Sequence, residues 1–429
     1  MLKTVRIINK GLKGDITIPA DKSISHRAVM FSAIAHGECQ INNFSSGADC
    51  HSTLNIFKHL GTDIRFIDEK TLIINSNGKL KPSEVALDAG NSGTTTRLIS
   101  GILAGQNFDS VIIGDNSLSK RPMKRIIEPL SLMGAKIEST NGCVPLKIYG
   151  TQLNGIEYSS QLSSAQVKSC ILLAGLNASG KTTYHEPFLS RNHTEILLHY
   201  LGADIRVNKN SVIVYPSELT AKDIDVVGDI SSAAFFIAAG LIVPNSSFVI
   251  KNVGINPTRS GIIDVVKRMQ GEIYIRNTRE VSGEQCADIM VCYTNNLKGC
   301  TIEGEDIPRL IDELPIIAVL ASQAYGQTIV KNAEDLRNKE SDRINCLVRE
   351  LSKIGINITE TPDGFVIEGK TKIKGDAELE SYHDHRLAMS FYVAGLIAEK
   401  EIAINGFEWT NISFPEFEKL FAKLIAGGN

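Results

Sequence analysis

The sequence has no Cys-x-x-Cys pair, no apolar run near the roughly 18 residues that cross a bilayer, and almost no excess of either charge. Its eight cysteines stand singly in apolar strand and helix patterns, the usage of reduced core thiols rather than of a disulfide framework or a metal knuckle. No charged-then-apolar leader follows Met1, so neither a signal peptide nor a membrane span is expected, and a cytoplasmic location is. A net charge of −3 exerts no general pull on nucleic acid or membrane, so any basic site must be local. At 429 residues the chain exceeds the roughly 250–300 residues that one hydrophobic core supports, and two domains are the default.

What is present first suggests a nucleotide. Residues 175–182 read GLNASGKT, the spacing of a phosphate loop. Such a loop needs a strand before it and a helix after it, so that helix N–H groups meet the phosphates. Here Val167, Cys170, Ile171 and Ala174 recur at helical spacing behind a cap at Ser163 or Ser164, and KTTYHEPFL reads as a strand running into a turn. The octapeptide is expected to be a helix-to-strand junction, not a nucleotide site.

That junction is one of a series. HLGTDIRF, LMGAKIE, YLGADIRV, RMQGEIYI and KIGINIT recur at roughly seventy-residue intervals, and FEKLFAKLIAGG begins a sixth copy. Each unit also opens with a more apolar helix, such as SSAAFFIAAGLIV, expected to be buried, whereas the charge-striped helices face water. The pattern predicts an α/β fold of six units, each roughly strand, inner helix, strand, strand, outer helix, strand. The chain is expected to divide into residues 20–224, holding units one to three, and residues 1–19 with 225–429, holding units four to six. The opening strand TVRIIN has no unit of its own and is expected to complete the sixth.

Polar residues gather at two places in the repeat. The first is the start of the inner helices: Asp21, Lys22, Ser23 and Arg27; Asn91, Ser92, Gly93 and Thr94; Ser163, Ser164 and Gln166; Asp312 and Glu313; His383, Asp384, His385 and Arg386. The second is the start of the outer helices: Lys120, Arg121, Arg191, His193, Arg259, Lys339, Glu340 and Arg343. Helix starts favour Asp, Asn, Ser or Thr and acidic first turns. Lys22, Arg27, Arg121, Arg191, Arg343 and Arg386 oppose that preference at equivalent positions, so an anionic ligand is expected to offset the repulsion. The alternative is pairing with neighbouring carboxylates. A small ligand bearing phosphate and carboxylate suits guanidinium forks, with Asp312, Glu340 and Lys22 as acid–base candidates. His383 and His385 have no third ligand at a suitable spacing, so hydrogen bonding at the helix start is expected there and no metal.

At these residues the chain resembles the 5-enolpyruvylshikimate-3-phosphate synthase family. DKSISHRA, LDAGNSGTTTRL, DNSLSKRPM, SAQVKSC, RNHTE, NPTR, RLIDELP, NKESDR and DHRLAM carry the likeness in family order, and SAQVK, RNHTE and NPTR are similar to its second, Gram-positive-like class. The resemblance implies a two-domain inside-out α/β barrel, the enolpyruvyl transferase fold, with three repeats per domain closing over the substrates. It also implies a transferase of aromatic amino acid biosynthesis in the shikimate pathway toward chorismate. That enzyme joins phosphoenolpyruvate to shikimate 3-phosphate with no cofactor and no metal, has no nucleic-acid or membrane partner, and is expected to be a monomer. Carried over, Lys22, Ser23, Arg27, Ser164, Gln166, Arg191, Asp312 and Lys339 would hold shikimate 3-phosphate. Lys22, Gly93, Arg121, Gln166, Arg343 and Arg386 would hold phosphoenolpyruvate. Asp312 would be the base toward the 5-hydroxyl and Glu340 the proton shuttle at C3, shared with Lys22.

Two departures stand out. Ala20 replaces a family Gly before Asp21, and Ile412 stands where many relatives carry a substrate-contacting Lys. Gly93 is kept, which implies susceptibility to glyphosate. The nearest rival, enolpyruvyl transfer to UDP-N-acetylglucosamine, goes with Lys-Asn in place of Lys22-Ser23 and with a reactive Cys on the loop that here reads NSLSKRP. A DNA-encircling scaffold would need a wet basic face on its inner helices, and AAFFIAAGLIV has none.

Overall fold

One order of elements recurs along the chain, a short strand, an inner helix, a second strand, an outer helix and a β-hairpin, and the sixth copy ends on its outer helix. The computed structural model describes residues 1–8 and 10–427. Asn9, which ends the expected opening strand, and Gly428, in the closing helix pattern, lie outside the described residues. In the second unit the elements are strand Leu87–Asp88, inner helix Gly93–Ala104, strand Ser110–Ile113, outer helix Lys124–Leu132, and hairpin strands Lys136–Thr140 and Cys143–Tyr149. The first strand lies parallel to the second, which is antiparallel to the fourth, with the third at the far edge. That sheet order repeats in the third, fourth and fifth units.

The sequence pattern puts two strands between the helices, and outside the third unit the structure differs: only one lies there, and the other joins the hairpin. In DNSLSKRP the Asp115 carboxylate accepts hydrogen bonds from Ser117 N and Leu118 N, which turns the chain out of the strand into the 3-10 turn Leu118–Lys120. After the outer helix, Asn141 and Gly142 take φ of 54° and 75°, the left-handed pair that closes a two-residue hairpin. The octapeptide GLNASGKT runs as expected from helix to strand. Helix Ala165–Gly175 ends on its first residue, and strands Ala178–Ser179 and Thr182–His185 follow.

The chain forms two compact units, Ala20–Val226 with Val281–Glu284, and Met1–Pro19 with Val227–Glu280 and Gln285–Asn429. In the first, called the N-terminal unit below, the return strands Leu219–Thr220 and Ile224–Asp225 pair parallel with Ala35–Asn42 and complete the first sheet. In the C-terminal unit the opening segment is used twice. Leu2–Val5 runs antiparallel to Ile402–Asn405 in the sixth sheet, and Lys13–Thr17 runs parallel to Ser247–Gly254 in the fourth.

Inner helices form the cores. All thirteen residues of Ile230–Ile242 are buried, as a helix with no polar face must be, and Leu314–Ser322 and His385–Gly395 pack against it. All eight cysteines are free, five of them buried, and no described helix is long and apolar enough to cross a membrane. In the N-terminal unit Gly93–Ala104 and Ala165–Gly175 approach so closely that a Cβ on Gly101 would lie 2.1 Å from the Cys170 carbonyl oxygen. Backbone cannot yield as a flexible side chain does, so Gly101→Ala is expected to cost about 1–3 kcal/mol, read as a lower urea midpoint. An unchanged midpoint would mean that the helices separate without penalty.

Beneath the helix starts of the N-terminal unit runs a buried chain of polar groups. His26 Nδ1 lies 2.7 Å from Thr53 Oγ1, which lies 2.7 Å from Thr95 Oγ1, which donates to the capping Ser92 Oγ at 2.7 Å. Burial pushes the His26 pKa from 6.5 down to about 3, Asp49 opposing and Lys22 and Arg27 reinforcing the shift. An unfolded chain takes up this proton near pH 6.5 while the folded chain refuses it. Stability present above that pH is therefore lost as pH falls toward 3. Between pH 7 and pH 5 the loss from this one group is expected to be about 2 kcal/mol. Urea unfolding of wild type and His26→Asn at both pH values checks it; equal losses would place the acid sensitivity elsewhere.

Candidate active site

Helix caps bring the functional side chains to the helix starts. Asp21 accepts from Ile24 N at 2.8 Å, Ser92 from Thr95 N at 3.1 Å, Ser164 from Val167 N at 3.5 Å and Asp384 from Arg386 N at 2.9 Å. Each cap satisfies a backbone donor that the helix leaves open. The cations therefore stand at ends whose dipole already points positive. The structure places the expected residues in two groups, one in each compact unit.

In the N-terminal unit, Lys22 is the first residue of helix Lys22–Ala33 and its Nζ lies 3.1 Å from Asp49 Oδ2. Ser23 follows, half-buried, and its carbonyl accepts from Arg27 NH1 at 2.9 Å. Arg27 is buried, with Nε donating to Thr194 Oγ1 at 2.7 Å and NH2 to Ser169 Oγ at 2.8 Å. Burial lowers its pKa to about 10, Glu195 and Asp21 oppose that shift, and Arg191 adds to it. The group stays charged at neutral pH, and Arg191 shares its electrostatic neighbourhood. Ser163, the other candidate cap, accepts instead from Phe188 N at 2.9 Å.

A second cluster surrounds Gly93. Gln166 Oε1 accepts from Arg97 NH1 at 2.6 Å, and Gln166 Nε2 donates to Thr94 Oγ1 at 2.9 Å. Arg121 NH2 donates to Asn91 Oδ1 at 2.8 Å, and Asn91 Nδ2 to Asp115 Oδ2 at 2.7 Å. A Cβ on Gly93 would stand 3.0 Å from Arg97 NH1 and 3.6 Å from Arg121 NH1. Only a residue without a side chain leaves the space between the two guanidinium groups open.

In the C-terminal unit Asp312 and Glu313 sit on the 3-10 turn Ile311–Glu313 that leads into Leu314–Ser322. Asp312 Oδ1 is 3.5 Å from both Lys339 Nζ and Arg343 NH1. Arg343 is 1% exposed; its Nε donates to Asp384 Oδ2 at 2.7 Å and its NH2 to Glu340 Oε2 at 2.5 Å. Burial works against this charge, but Asp384, Glu340 and Asp312 outweigh it and raise the guanidinium's pKa. Arg386 NH1 donates to the Asp312 carbonyl at 3.2 Å and lies 3.8 Å from Glu313 Oε1. Glu313 is itself held by Arg259, NH1 lying 3.0 Å from each carboxylate oxygen.

Of the cations expected at helix starts, Arg191 is placed by its electrostatic influence on Arg27, and the two explanations weighed divide over the others. Lys22 and Arg343 face carboxylates, and Arg386 stands near one; Arg27, Arg97 and Arg121 donate to hydroxyl, amide or carbonyl oxygens. A cation bonded to neutral acceptors keeps its full charge for an incoming anion. The sequence reading missed Arg97, Asp49, Ser169 and Thr194. Arg97 had a signal, a charged residue one turn into an otherwise apolar helix; the other three are small or acidic residues with no local mark. His383 stacks on Trp409 with ring centroids 4.6 Å apart, and no group of three or more His, Cys, Asp or Glu among the described residues could hold a metal ion. Ile412 ends the 3-10 helix Phe407–Ile412.

Known proteins resemble the chain over nearly its whole length. The family model for EPSP synthase (3-phosphoshikimate 1-carboxyvinyltransferase) matches residues 7–421. A Thermoanaerobacter pseudethanolicus protein named 3-phosphoshikimate 1-carboxyvinyltransferase is 52% identical over 415 residues, covering 96% of this chain and 98% of its own. A Bacillus cereus protein of the same name is 48% identical over 426 residues, 98% of this chain and 99% of its own. The solved EPSP synthase from Acinetobacter baumannii superposes with a TM-score of 0.89 at 43% identity, covering 99% of this chain and 98% of that one. The enolpyruvyl transferase NikO from Streptomyces tendae, at 17% identity and a TM-score of 0.81 over 99% of this chain and 97% of its own, shares the fold. The α/β architecture is that of the enolpyruvyl transferases, and by the family match and these relatives the chain belongs to the EPSP synthase family.

Proposed function

We propose that the chain transfers the enolpyruvyl group of phosphoenolpyruvate to the 5-hydroxyl of shikimate 3-phosphate and releases phosphate. Lys22, Ser23, Arg27, Ser164, Gln166 and Arg191, with Asp312 and Lys339, bind shikimate 3-phosphate. Lys22, Gly93, Arg121, Gln166, Arg343 and Arg386 bind phosphoenolpyruvate. Protonation of phosphoenolpyruvate at C3, by Glu340 with Lys22, makes C2 electrophilic. Asp312 takes the proton of the attacking 5-hydroxyl, and the tetrahedral intermediate then expels phosphate while a C3 proton returns to Glu340, which restores the double bond. The enol ether carbon is a poor base, so a positioned acid among cations that stabilise the leaving phosphate is what the step requires. Holding both substrates together lowers the barrier by roughly 7–11 kcal/mol in well-oriented cases. The protein works as a cytoplasmic monomer on these two small molecules.

The observation that carries this reading is Asp312, a carboxylate 3.5 Å from both Lys339 Nζ and Arg343 NH1, with Glu340 on the same guanidinium. Membership of the family supports it, and the relatives named for this reaction match nearly the whole chain. Ser23 beside Lys22 disfavours transfer to UDP-N-acetylglucosamine.

Phosphate release from phosphoenolpyruvate is expected to require shikimate 3-phosphate and to fall about a hundredfold or more in Asp312→Ala. Release with a UDP-sugar in place of shikimate 3-phosphate would overturn the substrate assignment. Glyphosate is expected to inhibit the wild type; Gly93→Ala, by crowding Arg97 and Arg121, is expected to weaken that inhibition and to raise the KM for phosphoenolpyruvate several-fold. Wild-type activity untouched by millimolar glyphosate would refute the first expectation, and an unchanged KM in the variant the second.

A further inference from the structure

Ser169 and Thr194 are wholly buried hydroxyls with no part in the chemistry above, and both bond Arg27. Their geometry admits a single directional circuit. Ser169 Oγ donates to the Ala165 carbonyl at 2.6 Å, so the 2.6 Å contact between the hydroxyls is Thr194 donating to Ser169. Thr194 in turn accepts from Arg27 Nε at 2.7 Å, and Ser169 from Arg27 NH2 at 2.8 Å. With NH1 donating to the Ser23 carbonyl, three of the five guanidinium N–H bonds are used and one remains on each terminal nitrogen.

Thr194 is also held from both sides. His193 Nδ1 lies 2.7 Å from Glu284 Oε1, and Glu195 Oε1 lies 2.8 Å from Lys168 Nζ, each group nearly or wholly buried. Lys168 Nζ also lies 2.8 Å from Glu186 Oε1 and donates to the Ser190 carbonyl at 3.1 Å, which ties down the segment running into Arg191. Neither hydroxyl adds charge, so they fix the plane of Arg27 without neutralising it. A carboxylate there would orient the guanidinium equally well and cancel the charge that an anion needs.

We propose that Thr194 and Ser169 are positioning residues for Arg27, setting its two remaining N–H groups toward the anionic group of shikimate 3-phosphate, and that they govern affinity for that substrate and not for phosphoenolpyruvate. The inference rests on the assignment of Arg27 to shikimate 3-phosphate made above.

Thr194→Val keeps the shape and removes the hydroxyl, and Thr194→Ser restores it. In Thr194→Val and in Ser169→Ala the KM for shikimate 3-phosphate is expected to rise about tenfold, the size of a lost bond to a charged group. The KM for phosphoenolpyruvate should change less than about twofold, and Thr194→Ser should return to near wild type. Ser100, an equally buried helix hydroxyl bonded to the Thr96 carbonyl, provides the control: Ser100→Ala should lose comparable stability without moving either KM. Unchanged KM for shikimate 3-phosphate in both variants, or both KM values rising together with no rescue by serine, would overturn the inference and leave the proposed reaction standing. A wild type that neither binds shikimate 3-phosphate in calorimetry nor turns it over would overturn the reaction, and the inference with it.

Discussion

Buried guanidinium groups at the positive ends of helices are the constraint around which the rest of this structure is arranged. Removing such a charge from water is expensive, and the helix dipole adds to the cost. Two solutions coexist. Arg343 is surrounded by Asp384, Glu340 and Asp312, which keep it charged in spite of complete burial. Arg27 and Arg97 are bonded to oxygens that carry no charge. The first arrangement places carboxylates beside the buried charge; the second holds it through neutral hydrogen-bond acceptors.

The repeat makes both solutions available at once. Each inner helix begins just after a strand that ends in a polar turn, so six helix starts of similar chemistry are generated from one local pattern. Asp21, Ser92, Ser164, Asp229 and Asp384 each cap one of them by accepting a backbone N–H. Asp384 also receives the side chain of Arg343, and so serves the helix and the neighbouring cation together. Apolar packing then locks the helices. Phe236 stacks on Phe421 with centroids 4.3 Å apart, and Gly101 lets two helices of the N-terminal unit meet where a Cβ would clash.

Strand pairing follows a similar division between local and distant causes. Hairpin turns such as Asn141-Gly142 are specified by two adjacent residues whose backbones accept positive φ. The partners of Leu2–Val5 and Lys13–Thr17, by contrast, lie hundreds of positions away, at Ile402–Asn405 and Ser247–Gly254. In the second unit the two strands expected between the helices gave way to one because the polar turn satisfies its own backbone through the Asp115 side chain.

The sequence by itself determined the six units, the buried inner helices, the caps and the cations at their starts, since helical periodicity and cap chemistry act over four or five residues. It also carried enough ordered motifs to point to the family. Only the tertiary structure decided what each cation faces: Arg27 meets Thr194 across 167 positions, Arg343 meets Asp384 across 41, and Arg97 meets Gln166 across 69. No local pattern marks Thr194 or Ser169 as partners of an arginine, because a hydroxyl acquires that role only when two helices from different units bring it within hydrogen-bonding distance.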